Sequence, residues 1–331
     1  MMKSLLIALG ILLAAVPARA EMEHATLSLP ADGIHFLALY AAEDFHFLEQ
    51  QGLEVKTVFI AGIGSFNAVV SGSAEFSVGS GASLARAAAR GQRMLAIANM
   101  SSRPTWNVVV RKEVAEAAHF DRNAPLADRA KILKGLRMGV GGINTVAHAY
   151  LKVIAKTGGI DPDQGMVVAA MQPPDIIAAM TRQAIDGFVD GPPWPQKTDD
   201  DGMTVTVAEG IAGDPSWLAP VGSGLIITRP QLCIDHRSMC MKMGQAVAQG
   251  AKFIHEHSDE ALASLKKRFP QFDEKTLARS LVVVQKATPS PPIVEEAAIV
   301  NSDKVNVEAG LMKPDEMLKS YDGLYTAEFV K

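Results

Sequence analysis

Apolar and polar positions switch between two periods along the chain. At residues 25–29 (ATLSL) and 53–60 (LEVKTVFI), apolar side chains fall on alternate positions, the period of a strand with one covered face. Between them, Ile34, Leu37, Tyr40, Ala41, Phe45 and Leu48 follow helical spacing over residues 33–52, and Gly52 ends the run. A short helix is predicted over 65–71 and a strand over 74–79. Next comes a helix carrying Leu84 and Ala87, capped by Ser80 or Ser83, and then strands over 94–100 and 106–111. A polar, less regular stretch, 118–135, interrupts the rhythm. It then resumes with a strand and turn (136–142), a helix (145–157), a strand (165–171), a helix (175–182) and a strand with a proline-rich exit (184–194). A late strand over 224–229 is followed by helices to the end. This alternation predicts an α/β fold with mostly parallel strands.

The two halves echo each other. AVVSGSAEFSVGSG (68–81) aligns with AMTRQAIDGFVDGP (179–192), so that Glu75 coincides with Asp186 and the helix-ending Gly72 is replaced by Gln183. Two similar α/β lobes, each presenting strand-end loops, imply a cleft between them, and open α/β sheets bind ligands at the carboxyl ends of their strands.

Composition narrows the class. With 48% apolar residues, the chain can fill two cores. A formal charge of −4 without a basic tract argues against nucleic acid. Lys3, an apolar run from Leu5 to Val16 and Ala18-Arg19-Ala20 before Glu21 read as a secretory leader cleaved after Ala20. That run is shorter than the roughly 20 residues a bilayer span needs, so a soluble, exported mature protein is expected. No cysteine follows the cleavage site, which argues against a lipid anchor there. Cys233 and Cys240 lie too far apart for a bridge on one continuous helix. Pro230 and Asp235 suggest a short helix, a break and a long helix, in which case the pair can meet, so a disulfide and two buried thiols both stay open. His255 and His257 are two apart on a predicted helix and do not face one another, and MCMKMG (239–244) reads as core packing; no metal and no cofactor are expected.

Several phrases, in order, resemble the periplasmic solute-binding proteins of ABC importers, of the nitrate/sulfonate/taurine type related to the NMT1/THI5-like proteins. They are HFLALYAAEDFHFLEQQGLEVKTV (35–58), FNAVVSGSAEFSVGSGASLARAAARG (66–91), LKGLRMGVG (133–141), IIAAMTRQAIDGFVDGPPW (176–194), EAGLMKPDE (308–316) and SYDGLYTAEFVK (320–331). The resemblance implies a two-lobe Venus-flytrap fold, each lobe a mostly parallel sheet flanked by helices. Lobe one would be residues 21–107 with 225–331, and lobe two 108–224. It further implies a monomer that captures a small organic solute (a sulfonate, an aromatic carboxylate or a heteroaromatic precursor) and delivers it to an inner-membrane permease, with no catalytic residue. Two other readings are a pyrimidine-precursor synthase-like enzyme and a ligand-sensing partner of a membrane receptor. The synthases are intracellular and carry a cysteine cluster that is missing here.

Candidate solute contacts follow from position and chemistry. In the first half they are His35 after the first strand, Ser65 in AGIGSFN, and Ser80 and Gly81 in the glycine turn SVGSGAS. Near the first crossover they are Ser102 and Asn107, with Trp106 packing the hinge or stacking, and Arg103 more plausibly a surface residue. In the second half they are Asn144 and Thr145 at a helix start, Asp190 as an acceptor and Trp194 as an aromatic wall. An ionised Asp190 repels a simple anion such as nitrate, which favours a larger organic solute.

Overall fold

The computed structural model describes residues 22–331. The leader expected over residues 1–20 lies outside the described residues. The chain forms two five-stranded sheets. The first is built from β1 (Glu23–Leu29), β2 (Leu53–Phe59), β3 (Phe76–Gly79) and β4 (Leu95–Asn99), with connecting helices α1 (Leu37–Asp44), α2 (Phe47–Gln50), α3 (Ile63–Val70) and α4 (Gly81–Ala89). The chain then crosses over. β5 (Asn107–Arg111), α5 (Lys112–Ala117), α6 (Leu126–Ala130), β6 (Arg137–Val140), α7 (Val146–Thr157), β7 (Val167–Ala170), α8 (Pro173–Thr181), β8 (Gly187–Asp190), α9 (Trp194–Asp200) and β9 (Thr204–Glu209) follow. Strand β10 (Leu225–Thr228) returns, and α10 (Pro230–Asp235), α11 (Arg237–Glu256), α12 (Ser258–Arg268), α13 (Glu274–Ala287) and α14 (Glu296–Glu308) complete the chain.

The strand orders β2-β1-β3-β10-β4 and β7-β6-β8-β5-β9 are the same pattern used twice. In each sheet the strand arriving from the other half, β10 or β5, runs antiparallel between two neighbours. Four strands of five thus share a direction, and the sheets are mixed. The echo seen in the sequence extends to the hydrogen bonds. Glu75 Oε2 accepts from Thr26 N at 2.7 Å in the middle of β1, and Asp186 Oδ2 accepts from Arg137 N at 2.9 Å at the start of β6. Gly72 turns at φ 81°, and Gln183, in the equivalent place, adopts φ 57° although it carries a Cβ.

Several predicted elements are redrawn. The helix expected over 33–52 is a 3₁₀ turn (Ile34–Phe36), α1 and α2, broken at His46 with φ 59°. The break lets Phe45 and Phe47 both pack on Phe253, with ring centroids 4.1 and 5.6 Å away. The strand expected over 184–194 covers only Gly187–Asp190. The proline-rich exit leads into α9, with Trp194 and Pro195 in its first turn, where a missing N–H costs nothing. Cys233 and Cys240 form a disulfide with Cα atoms 5.5 Å apart across the α10–α11 break.

Separate cores back the two sheets. Leu27, Phe76 and Ile226 belong to the first sheet's largest cluster, and Val108, Val140 and Val189 to the second's. The last long helix, α14, serves both: Ile299 packs beneath the first sheet, while Val305 and Ala309 join the second core. Among the described residues no helix is long and apolar enough to cross a membrane.

Candidate functional site

Parallel strands end where backbone N–H groups and loop side chains converge, so the candidate site is assembled from the ends of β1, β3, β6 and β8. At the end of β1, Asp32 Oδ1 accepts from Tyr40 Oη at 2.7 Å, and the Arg268 guanidinium lies over the Tyr40 ring at 4.3 Å. His35 folds back over Gly33, where a Cβ would come within 2.4 Å of its ring, and its ring centroid lies 4.0 Å from that of Phe36. Burial holds its pKa down at about 4, so the imidazole is neutral and offers one N–H.

At the end of β3, Ser80 caps α4 by accepting from Ser83 N at 3.1 Å. Gly81 N donates to Gly222 O at 2.7 Å, and a Cβ on Gly81 would meet Ser302 Oγ at 2.5 Å. The small residue therefore makes room for α14. Ser65 is buried and donates to Ser28 O at 2.8 Å, which ties α3 to β1. Ser102 holds the crossover to the end of α13, donating through both N (2.8 Å) and Oγ (3.2 Å) to Ala287 O. Arg103 is exposed.

In the second sheet Thr145 caps α7, accepting from His148 N at 3.3 Å and donating to Gly142 O at 2.8 Å. Asn144 adopts φ 60° and donates its backbone N–H to His148 Nδ1 at 3.0 Å. Asp190 closes β8 directly opposite Asn107 of β5. Its Oδ1 accepts from Gly191 N at 2.8 Å, while Oδ2 is buried with no partner. Burial raises its pKa to about 7, only partly offset by the Gly191 N–H. Trp194 meets the ring of Phe272 edge-on at 4.7 Å and packs against clusters of both sheets. Trp106 is buried in the second core, 6.0 Å from Tyr150.

Thus Asp190, Asn107 and Trp194 come together at the seam between the sheets. His35 reaches the same seam from the first sheet, since its 3₁₀ turn packs on α13, which in turn packs on α9. Ser65 and Ser102 have their hydroxyls engaged elsewhere. The seam also holds residues that sequence reasoning missed. Arg279 of α13 donates to Asp199 Oδ2 and Asp200 Oδ1 of α9, both at 2.7 Å, and Lys275 reaches Asp200 at 2.7 Å. The signals available were Pro195 in a helical first turn and the alternation of TVTVAE, which marks β9.

Solved structures share this architecture across almost the whole chain. The alkanesulfonate-binding protein SsuA of Xanthomonas axonopodis, bound to MOPS, has TM-score 0.68 at 16% identity, covering 90% of this chain and 97% of that one. The periplasmic nitrate-binding protein NrtA of Synechocystis has TM-score 0.69 at 13% identity, covering 93% and 87%. The fold is therefore the two-lobe α/β fold of periplasmic binding proteins. The NMT1/THI5-like family model matches residues 34–261, and the chain belongs to that family. A curated relative, the nitrate/nitrite binding protein NrtA of Nostoc sp., is 36% identical over 61 residues, a stretch that spans 18% of this chain and 14% of that protein.

Proposed function

We propose that this protein is the extracytoplasmic solute receptor of an ABC importer. It captures a small organic solute between its lobes in the periplasm and hands it to a permease in the inner membrane. Family membership, the fold and the binding-protein names of the relatives support this reading. The lobes are assigned to residues 21–107 with 225–331, and to 108–224. His35, Asn107, Asp190 and Trp194 are the proposed contacts at the seam, with the backbone around Ser80, Gly81, Asn144 and Thr145 at its margins.

One observation directs the choice of solute. Asp190 Oδ2 is buried without a hydrogen-bond partner, and in the ionised form such an orphaned buried acceptor costs about 1–3 kcal/mol. A solute bearing an N–H or O–H group removes that cost, whereas nitrate or a plain alkanesulfonate at neutral pH brings no such donor. Trp194, packed against clusters of both sheets four residues beyond Asp190, favours a planar group. The test is a thermal-shift screen of refolded, ligand-free protein starting at Glu21, against nitrate, alkanesulfonates, taurine, aromatic acids and aminopyrimidines. A donor-bearing hit at about 100 times its Kd stabilises by about 2.7 kcal/mol, and Asp190→Asn should abolish it. Shifts confined to nitrate and plain sulfonates would overturn the role given to Asp190.

A further inference from the structure

The loop between β6 and α7 is closed by an imidazole. Thr145 is the N-cap of α7, and His148 stands where a capping box places Glu or Gln. His148 is buried, and its Nδ1 accepts from Asn144 N at 3.0 Å. Its own backbone N–H donates to Thr145 Oγ1 at 3.3 Å, and that hydroxyl donates to Gly142 O at 2.8 Å. Asn144 sits at φ 60°, a left-handed conformation that turns its N–H onto the ring. The matching loop after β1 is held differently: Gly33 N donates to Tyr40 Oη at 3.3 Å, and burial raises the pKa of that phenol well above its ordinary value.

An imidazole accepts at Nδ1 only while that nitrogen is bare, so the ring must be neutral with its proton on Nε2. A second proton removes the acceptor and sets a cation at a helix N-terminus, against the dipole. Among the described residues, the charged groups facing the ring are Lys152, one turn on, and Asp163, ahead of β7, and these two pair at 2.9 Å. Charged side chains on the elements packed against α7 are engaged elsewhere. On α6, Arg129 pairs with Asp214 and Asp128 with Lys131. On α14, Asp303 accepts from Tyr321, Lys304 lies over Trp217 and Glu308 pairs with Lys156. Asp190, on β8, accepts from Gly191 N. Burial first and Lys152 second lower the His148 pKa from 6.5, with Asp163 opposing. The bond to Asn144 is therefore made at neutral pH and lost as the pH falls through that lowered value.

We propose that His148 is a positioning residue that holds the loop from Gly142 to Thr145 in place only while neutral, so that acid frees this wall of the cleft while the matching loop after β1 stays tied. Its consequence, weaker solute capture in acid, rests on the receptor reading; the hold on the loop does not. The test is therefore read first in ligand-free, isotope-labelled protein starting at Glu21, by NMR from about pH 7.5 to 4.5. At neutral pH the ring nitrogens should show a bare Nδ1 and a protonated Nε2. The exchange protection of the Asn144 amide should fall about tenfold or more in step with His148 protonation, while Ala246 of α11 holds its own. In His148→Gln, whose amide oxygen accepts at every pH, protection should stay flat; in His148→Ala it should be low throughout. The proposal is overturned by the other tautomer at neutral pH, by Asn144 protection that ignores the ring's titration, or by a His148→Gln profile that follows the native one. Any compound of the solute panel that binds should then lose about tenfold in affinity on acidification in the native chain relative to His148→Gln. Equal losses in the two would overturn the consequence for capture, whereas a panel without a single hit would count against the receptor reading and leave the loop result standing.

Discussion

Asp190→Asn should alter how stability depends on pH. Burial raises the Asp190 carboxyl to about 7, from 3.8. Between those values the folded chain holds a proton that the unfolded chain has released, so stability falls as pH rises. The contribution is complete below about pH 4 and gone above about pH 7; three units at about 1.4 kcal/mol each give an upper figure of about 4 kcal/mol. His35 works in the opposite sense. Burial lowers it from 6.5 to about 4, so stability is lost as pH falls through that window, by about 3 kcal/mol. In the native chain the two trends largely offset each other. Asparagine keeps the shape and the Gly191 bond but removes the first trend and exposes the second. Urea denaturation of both proteins across about pH 4.5 to 8 gives the difference directly, and His148, which burial also lowers, cancels in it. The variant should gain on the native chain steadily up to about pH 7 and run parallel above. A flat difference curve would refute the argument, because it would mean that the folded state carries an ordinary, solvated carboxylate.

Three further outcomes are expected. Gln183→Gly relieves a left-handed residue and should raise unfolding stability by about 1 kcal/mol; a loss in urea denaturation would show that the Gln183 side chain contributes more than its backbone costs. Replacing both Cys233 and Cys240 by Ser frees a short loop and should cost about 2.5 kcal/mol, with reductant having no further effect on the variant; equal stability would indicate a strained bridge. Arg279→Gln breaks the bonds from α13 to Asp199 and Asp200. Small-angle scattering should then show a larger ligand-free average at low salt, converging with the native chain at high salt; identical radii would mean that these ions do not hold the halves together.

Much of the fold was legible from local pattern. The two periods placed most strands and helices, Ser80 and Thr145 stand where capping residues were expected, and the alignment of Glu75 with Asp186 marked a real duplication. The misreadings share a cause. The strand expected over 184–194 with its proline-rich exit stops at Asp190, and Pro193 and Pro195 start α9 instead; His46 breaks a helix because aromatic packing outweighs a continuous period. The site was legible only in part. Asp190 and Trp194 lie in one distinctive stretch, but their burial and missing partner are tertiary facts. Arg279 and Lys275 meet Asp199 and Asp200 from a distant part of the chain, and no spacing rule connects them before it folds. Gly81 is a candidate solute contact from the sequence, and its N–H is engaged by Gly222 O while a Cβ there would meet Ser302 Oγ.

Helix α14 constrains how the molecule opens. It anchors Ile299 under one sheet and Val305 and Ala309 under the other, and Ser302, midway, accepts from Gly222 N at 3.1 Å on the returning crossover. A wide gape would expose one end of this strut, and uncovering Val305 alone costs about 1.5–3 kcal/mol. The cheaper movement is a rotation about the helix's own length, which keeps both ends covered while the far edges of the sheets part. Entry would then begin at the rim furthest from α14, and a crosslink pinning that helix to α4 would leave exchange of solute nearly as fast as before.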